Sequence, residues 1–229
     1  MNIKISKEQA DKLFNVKQVE YVIGSHLYGT NTKKSDTDIL VIYDLEYRSS
    51  LFLPNFHQFQ WDDKENNKQY IFTTRPQFYK NLLSGDSTIN FDVFLTYFEN
   101  ENKLEILRTY KIIKSFIGFA KRDIKQYSLG KDKNKLFHIN RGLYCAEELL
   151  NNRLPNINKF KELNDFNLEN KEILLSILKL KESHLRDLCN SLFDSGELTM
   201  YPVNVFTDFT NEFEQLLINA NNIKEFKYD

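Results

Sequence analysis

The chain has 229 residues, and its 31 Lys and Arg against 32 Asp and Glu give a formal net charge of −1. This balance excludes neither a polyanion nor a small nucleotide as a partner, because local patches of charge matter more than the sum. A hydrophobic content of 41% is enough for a core. No apolar run approaches the roughly 18 residues of a membrane span, so we expect no membrane partner.

Two further features of the sequence predict a cytoplasmic location. The first residues lack the apolar segment of a signal peptide. Cys145 and Cys189 lie far apart and match no metal-binding spacing. We therefore expect both to be free thiols in a reducing compartment.

The first hundred residues alternate between helical and extended patterns. Ser6 precedes a short amphipathic run and is expected to cap its helix. The segment from Asp38 to Asp44 is rich in β-branched residues and apolar on both faces, which predicts a buried strand. In chain order, we predict a helix over 7–14, strands over 19–25 and 38–44, a hairpin formed by 51–61 and 68–74, a helix over 75–84 with Gly85 past its end, and a strand over 89–98.

From about Glu101 the pattern becomes that of long amphipathic helices. They are predicted over 103–130, 135–152, 172–193 and 204–222. The predicted fold class is therefore α+β. Residues 1–100 form a core of a small mixed β-sheet with flanking helices, and residues 101–229 form an α-helical C-terminal part packed against it.

An acidic pair, Asp36 and Asp38, stands at the entrance of the predicted strand over 38–44. Residues two apart in a strand point to the same face, with Cα atoms roughly 6–7 Å apart. A divalent cation, Mg²⁺ in particular, would remove the repulsion between the two carboxylates and bind their oxygens. The alternative is ordinary turn chemistry, because the side chains of Ser, Thr and Asp in "SDTD" also bond their own backbone.

Two other positions complete a pattern around the acidic pair. Gly24 and Ser25 follow the strand predicted over 19–25, and offer free backbone N–H groups and a hydroxyl suited to phosphate oxygens. Asp92 lies in the strand predicted over 89–98, where it is either a third acid of the site or a surface acid on an edge strand. The combined order of these residues is more specific than any one of them.

At these residues the chain resembles the polymerase-β-type nucleotidyltransferase superfamily. The stretch "GSHLYGTNTKKSDTDILVIY" is most similar to the predicted bacterial and phage nucleotidyltransferases described as polymerase-β-like RNA-repair proteins. The stretch "FYKNLLSGDSTINFDVF" resembles a helix, a Gly turn and a strand that carries the third acid. "KLFHINRGLYCAEELLNN" resembles a helix with a His and an Arg three residues further on. The resemblance covers residues 20 to about 152 and extends no further.

The resemblance implies transfer of a nucleoside monophosphate with two Mg²⁺ ions, or Mn²⁺ in their place. The implied catalytic residues and metal ligands are Asp36, Asp38 and Asp92. Ions about 3.5–4 Å apart would hold the attacking and leaving oxygens, and Asp92 would help to deprotonate the attacking hydroxyl. The implied nucleotide-binding residues are Gly24, Ser25, Tyr28, Lys33, Ser35, His138 and Arg141. Many superfamily members carry Arg where this chain has Tyr28, so Lys33, Lys34, His138 or Arg141 must meet the phosphate charge.

Taken without the resemblance, the helix predicted over 135–152 has an ordinary explanation. His138 and Arg141 share one face, and Arg141 could pair with Glu148 on the surface. The stretch 103–135 carries ten Lys or Arg against three acids and is interleaved with aromatic residues. It could follow a nucleic-acid backbone, although a solvated helix face with its aromatic residues in the core is the more frequent case.

The function predicted from the sequence is that of a Mg²⁺-dependent nucleotidyltransferase. It would transfer a nucleoside monophosphate from an NTP such as ATP to a hydroxyl, most readily that of an RNA or tRNA end, in RNA repair or modification. One alternative is transfer to a protein side chain, as in AMPylating toxin–antitoxin enzymes, or to an antibiotic hydroxyl. Others are a non-catalytic nucleotide- or RNA-binding domain and an HEPN-like helical partner protein. The sequence leaves the oligomeric state open.

Overall fold

The computed structural model describes residues 3–33, 35–44, 58–130, 135–164 and 171–202. These ranges contain the strands β1 (Ile3–Lys4), β2 (Gln18–Ile23), β3 (Thr37–Tyr43), β4 (Phe59–Asp63) and β5 (Lys68–Thr74). Their α-helices are α1 (Lys7–Phe14), α2 (Gly24–Tyr28), α3 (Arg75–Ser84), α4 (Thr88–Tyr97), α5 (Lys103–Leu107), α6 (Tyr110–Ser128), α7 (Lys135–Leu150), α8 (Phe160–Asn164) and α9 (Lys171–Asp194). A short 3₁₀ helix (Ile157–Lys159) precedes α8.

The strands form one mixed sheet in the order β1-β4-β5-β3-β2. β3 pairs antiparallel with β2 and parallel with β5. β4 and β5 form the expected antiparallel hairpin, while the short strand β1 was not predicted. The predicted fold class, a small mixed sheet with flanking helices followed by a helical part, is confirmed.

Strand β3 is the centre of the core, and it is buried on both faces as its continuous apolar run predicted. Leu40 and Ile42 point to the face on which the helical part packs. Val41 and Tyr43 point to the opposite face, where α1 covers them and Phe14 contacts the aromatic residues of β5. The capping box that Ser6 forms with Gln9 begins α1, as expected.

The strand predicted over 89–98 is wrong, because these residues form the helix α4. The Ser87 hydroxyl accepts a hydrogen bond from the Asn90 backbone N–H and caps the helix. Residues 90–94 are all buried. A helix that is apolar on every side lacks the 3.6-residue pattern by which helices are recognised, and its aromatic and β-branched residues imitate a buried strand.

The single helix predicted over 103–130 is divided into α5 and α6. Thr109 is extended, and its hydroxyl accepts a hydrogen bond from the Ile112 backbone N–H to start α6. Arg108 leaves the helical conformation, and its guanidinium donates to the backbone carbonyls of Leu149 and Glu197. The break therefore ties the start of α6 to the end of α7 and to the residues after α9.

The long helices α6, α7 and α9 pack on one another, while α2, α3 and α4 pack on the sheet. One cluster of buried side chains runs without interruption from Leu40 in β3 to Leu185 in α9. Cys145 and Cys189 are buried free thiols, as expected. The helix predicted over 204–222, the first part of the hairpin over 51–57 and Lys34 lie outside the described residues. Across the parts of the chain that are described, no helix is long and apolar enough to cross a membrane.

Candidate functional site

The antiparallel pairing of β2 with β3 brings Gly24 to Asp38. In that ladder Ile23, the last residue of β2, lies opposite Asp38. Gly24 follows directly and begins α2, which packs against β3. Two residues fourteen positions apart in the sequence thus meet at one edge of the sheet.

Glycine is strongly favoured at position 24 by its backbone conformation and its surroundings. The residue has a φ of +65°, a conformation that costs a side chain free energy. A Cβ there would lie 2.5 Å from Oδ2 of Asp38, well inside van der Waals contact. The backbone of the Gly-Ser turn therefore lies directly against the carboxylate, which leaves no room for any larger residue between them.

The loop that carries Asp36 is held by its own side chains and by the β4–β5 turn. The Ser35 hydroxyl accepts a hydrogen bond of 2.9 Å from the Thr32 backbone N–H. Asn67 donates from its side chain to the Ser35 carbonyl, and its own carbonyl accepts from the Thr37 N–H. The turn chemistry considered for "SDTD" is thus present at Ser35, and it fixes the backbone on both sides of Asp36.

The ionised form of Asp38 is under electrostatic strain. Burial raises the pKa of the Asp38 carboxyl, and the neighbouring Asp36 raises it further, while His26 lowers it. The His26 ring lies 3.4 Å from the Thr37 hydroxyl. Asp36 itself is exposed. A bound cation would relieve this strain, and its ligands would be the half-buried Asp38 and the solvent-facing Asp36.

A further neighbour of Asp38 was missed at the sequence level. Gln69 of β5 lies beside Asp38 in the parallel β3–β5 ladder, so both side chains point to the same face of the sheet. The Gln69 amide donates to Asp62 of β4 at 3.2 Å. The Lys4 ammonium and Gln60 also donate to that carboxylate. The register that creates this polar row depends on strand pairing, which no local pattern in the sequence reports.

The structure does not bring Asp92 together with Asp36 and Asp38. Asp92 lies in α4, is only 1% exposed, and its Oδ2 accepts hydrogen bonds from Tyr28 at 2.5 Å and Arg141 at 2.8 Å. Within the described residues, no group of three His, Cys, Asp or Glu side chains is arranged to hold a metal ion. The expected cluster of three acids is therefore not formed among the described residues.

Tyr28 and Arg141, expected at the nucleotide, are also buried with Asp92. Arg141 is 6% exposed and Tyr28 is 8% exposed. Glu148, the alternative partner considered for Arg141, is paired with Arg153 instead. Burial alone would lower the pKa of the Arg141 guanidinium, but Asp92 and Tyr28 raise it. The positive charge of Arg141 is therefore paired with Asp92 inside the protein.

The remaining candidates lie at the surface. Lys33 and His138 are exposed. In the basic stretch, the exposed face of α6 carries Lys111, Lys121 and Lys125. Its aromatic residues face inward or pack on neighbouring side chains: Phe116 is buried against Phe91, and Tyr110 stacks on Phe193. This is the arrangement of a solvated helix face, which offers a ligand cationic side chains but, along the described residues of α6, no aromatic stacking surface.

The fold and this edge of the sheet define an α+β protein with an acidic pair beside a Gly-Ser turn. The family model of the nucleotidyltransferase domain matches residues 3–134 of the 229. That match covers more than half of the chain, and the chain therefore belongs to the nucleotidyltransferase domain family of the polymerase-β-like superfamily. The resemblance to this superfamily noted in the sequence is confirmed.

Among solved structures, the chain is similar to a nucleotidyltransferase-like protein from Exiguobacterium sibiricum 255-15. The two are 13% identical, the alignment covers 81% of this chain and 73% of that chain, and the TM-score is 0.29. No curated protein matches the chain. The family assignment rests on the domain match.

Proposed function

We propose that this chain transfers a nucleoside monophosphate from an NTP to a hydroxyl, with an RNA end as the acceptor. The observation that supports this most directly is the contact of Gly24 with Asp38 next to Asp36. A backbone turn that can approach phosphate oxygens and a carboxylate pair that can hold a cation meet at one point. The family supports monophosphate transfer in general.

Asp36 and Asp38 are the residues that would hold Mg²⁺. The donor set fits this ion, because Mg²⁺ is usually held by one or two carboxylates and completes its shell with water and substrate phosphates. When bound, the ion neutralises triphosphate charge and polarises the phosphate under attack. The raised pKa of Asp38 supports the assignment, because a cation favours the ionised form that burial and Asp36 disfavour.

The residues of the chain bind and orient the substrate. The Gly24 and Ser25 backbone N–H groups and the Ser25 hydroxyl hold the triphosphate against the acidic pair. The acceptor oxygen forms a bond to the α-phosphorus, the bond from that phosphorus to the bridging oxygen breaks, and pyrophosphate leaves. We assign the proton of the acceptor hydroxyl to water on the exposed side, where Asp36 lies, because Asp92 is buried in a separate network.

The RNA acceptor is supported by the cationic side chains along α6. Lys111, Lys121 and Lys125 are exposed, and such charges attract a phosphate backbone. Protein or small-molecule acceptors are the alternatives that the experiment must separate.

The test is transfer of label from an α-³²P-labelled NTP in the presence of Mg²⁺. The purified chain is incubated with each of the four NTPs together with tRNA, with a cell lysate, or with neither. Label on RNA supports the proposal, while label only on protein rejects the RNA acceptor and no label anywhere rejects the transfer. The variant Asp36→Asn, Asp38→Asn should lose labelling by at least about a hundredfold.

The matched control is Asp44→Asn. Asp44 follows the opposite end of β3 and is paired with Arg75 at 2.7 Å. The variant makes the same change of a carboxylate to an amide, at the other end of the same strand. At a rise of about 3.3 Å per residue, position 44 lies roughly 20 Å from Asp38. Labelling by this variant should equal that of the wild type. Equal labelling by the double variant would reject the assignment of the acidic pair.

A further inference from the structure

Tyr28, Asp92 and Arg141 form a buried polar network that joins three helices. Tyr28 is the last residue of α2, Asp92 lies in α4, and Arg141 lies in α7 of the helical part. The Tyr28 hydroxyl donates to Asp92, and Arg141 Nη1 donates both to Asp92 and to the Tyr28 oxygen. Each side chain thus contacts both of the others.

The network is closed to solvent and lies among aromatic rings. The Tyr28 ring contacts Phe137 and Phe160 with centroids 5.6 and 5.4 Å away, and the Arg141 guanidinium lies over the Tyr28 ring at 5.1 Å. Asp92 Oδ1 and Arg141 Nε are buried without a hydrogen-bond partner among the described residues. No substrate can reach these groups without movement of the helices around them.

A contribution to stability alone does not account for such a buried network. Removing two opposite charges from water costs several kcal/mol per ion, and well-packed apolar residues of similar volume are often as stable. What directional hydrogen bonds provide in addition is a fixed relative position of the elements that they join. In this chain the joined elements are the helix that begins at Gly24 and the helical part.

Helix α2 is so short that a displacement of its last residue would also displace its first. Its five residues span only about 6–8 Å at 1.5 Å per residue, with Gly24 at one end and Tyr28 at the other. Gly29 follows in the left-handed conformation, and the Thr30 N–H donates to the Ser25 carbonyl at 2.9 Å. A shift of the Tyr28 hydroxyl would therefore be transmitted to Gly24, where the backbone already lies against Asp38.

We propose that Tyr28, Asp92 and Arg141 are positioning residues that dock the helical part on α2 and thereby hold Gly24 and Ser25 against the acidic pair. The consequence for nucleotide binding rests on the function proposed above. The consequence for the order of α2 does not, because it follows from the hydrogen bonds alone.

The experiment compares Tyr28→Phe with Tyr110→Phe. Both remove one tyrosine hydroxyl and keep the ring, and the Tyr110 hydroxyl donates to Asn190 at 3.2 Å, between α6 and α9. Hydrogen–deuterium exchange is measured on the metal-free proteins. In Tyr28→Phe we expect the amides of 25–30, Thr30 included, to exchange about tenfold faster, while those of β3 are unchanged. Tyr110→Phe should leave the amides of 25–30 at the wild-type rate.

The second measurement is the affinity for a non-hydrolysable ATP analogue with Mg²⁺, by calorimetry. The comparison is made at equal melting temperatures of the two variants. Tyr28→Phe should then bind the ATP analogue severalfold more weakly than Tyr110→Phe. A purely structural role would change the melting temperature and leave the affinity unchanged. If Tyr28→Phe does not fold, Arg141→Lys keeps the positive charge beside Asp92 but loses the planar guanidinium, and it gives the same comparison.

The outcomes separate the two proposals. Unchanged exchange over 25–30 in Tyr28→Phe, or an equal increase in Tyr110→Phe, would overturn the positioning role. Faster exchange over 25–30 with no binding of the analogue by the wild type would support the positioning role and count against the proposed function. Faster exchange with unchanged affinity would overturn the claim that the network holds the nucleotide turn.

Discussion

Replacement of Gly24 by alanine tests whether the turn and the carboxylate pair form one site. Gly24 has a φ of +65°, and the left-handed conformation costs alanine about 1–2 kcal/mol. The new Cβ would also lie 2.5 Å from Asp38 Oδ2, so the Asp38 side chain must rotate. An off-rotamer carboxylate adds about 0.5–1.5 kcal/mol. We therefore expect Gly24→Ala to lower the free energy of unfolding by roughly 1.5–3.5 kcal/mol.

Gly24→Ala should also weaken the binding of a cation at the proposed site. A displaced Asp38 carboxylate no longer shares an ion with Asp36, so Mn²⁺ affinity, measured by electron paramagnetic resonance, should fall by about tenfold or more. The stability change is measured by urea denaturation in the absence of metal.

Gly130→Ala is the matched control for backbone strain. Gly130 has a φ of +72°, and a Cβ there meets nothing within 4 Å. The variant should lose about 1–2 kcal/mol of stability and keep wild-type Mn²⁺ affinity. If Gly24→Ala also binds Mn²⁺ like the wild type, the reasoning that couples the turn to the metal site is refuted.

Two further predictions concern the two groups of charges. Asp38→Asn should stabilise the metal-free protein at neutral pH by roughly 0.5–1 kcal/mol after screening by solvent. Because the pKa of Asp38 is raised in the folded state, wild-type stability falls as the pH rises from about 4 through that pKa. The difference in stability between the wild type and Asp38→Asn should therefore vanish below about pH 4, which urea titrations at several pH values will test. Arg141→Met leaves the Asp92 carboxylate buried without its ion pair and should cost about 3–5 kcal/mol. Arg153→Met, which breaks an exposed pair, should change the urea midpoint little, and equal midpoints for these two variants would contradict the buried pairing.

The parts of the fold that the sequence predicted correctly are those with a clear local period or cap. Strand β3 is buried on both faces, and its unbroken apolar run indicated this. Helix α9 was recognised from its 3.6-residue pattern to within one residue at each end. The order of Gly24, Asp36 and Asp38 in the sequence suggested one site, but the antiparallel pairing of β2 with β3 that brings Gly24 to Asp38 was not predicted.

The residues that were misassigned are those whose role is decided by distant contacts. Asp92 was assigned to a strand because residues 90–94 of α4 are all buried and rich in aromatic and β-branched side chains, and its polar role depends on Arg141, 49 residues away in the sequence. Gln69 was missed because its position beside Asp38 depends on the parallel register of β3 and β5. Neither relation leaves a periodic signal in one sequence.

The burial of Asp92 divides the charges discussed here between the core of the protein and the edge of the sheet. The sequence motifs place Asp92 and Arg141 at the nucleotide. In the structure these two side chains form an ion pair in the core, and the Tyr28 hydroxyl donates a hydrogen bond to the same carboxylate. The acidic pair at the edge of the sheet is left with a raised pKa at Asp38, and neither of its carboxylates forms an ion pair within the described residues. In our proposals, the buried charges fix the position of α2, and the charges of Asp36 and Asp38 are the ones that would bind a cation.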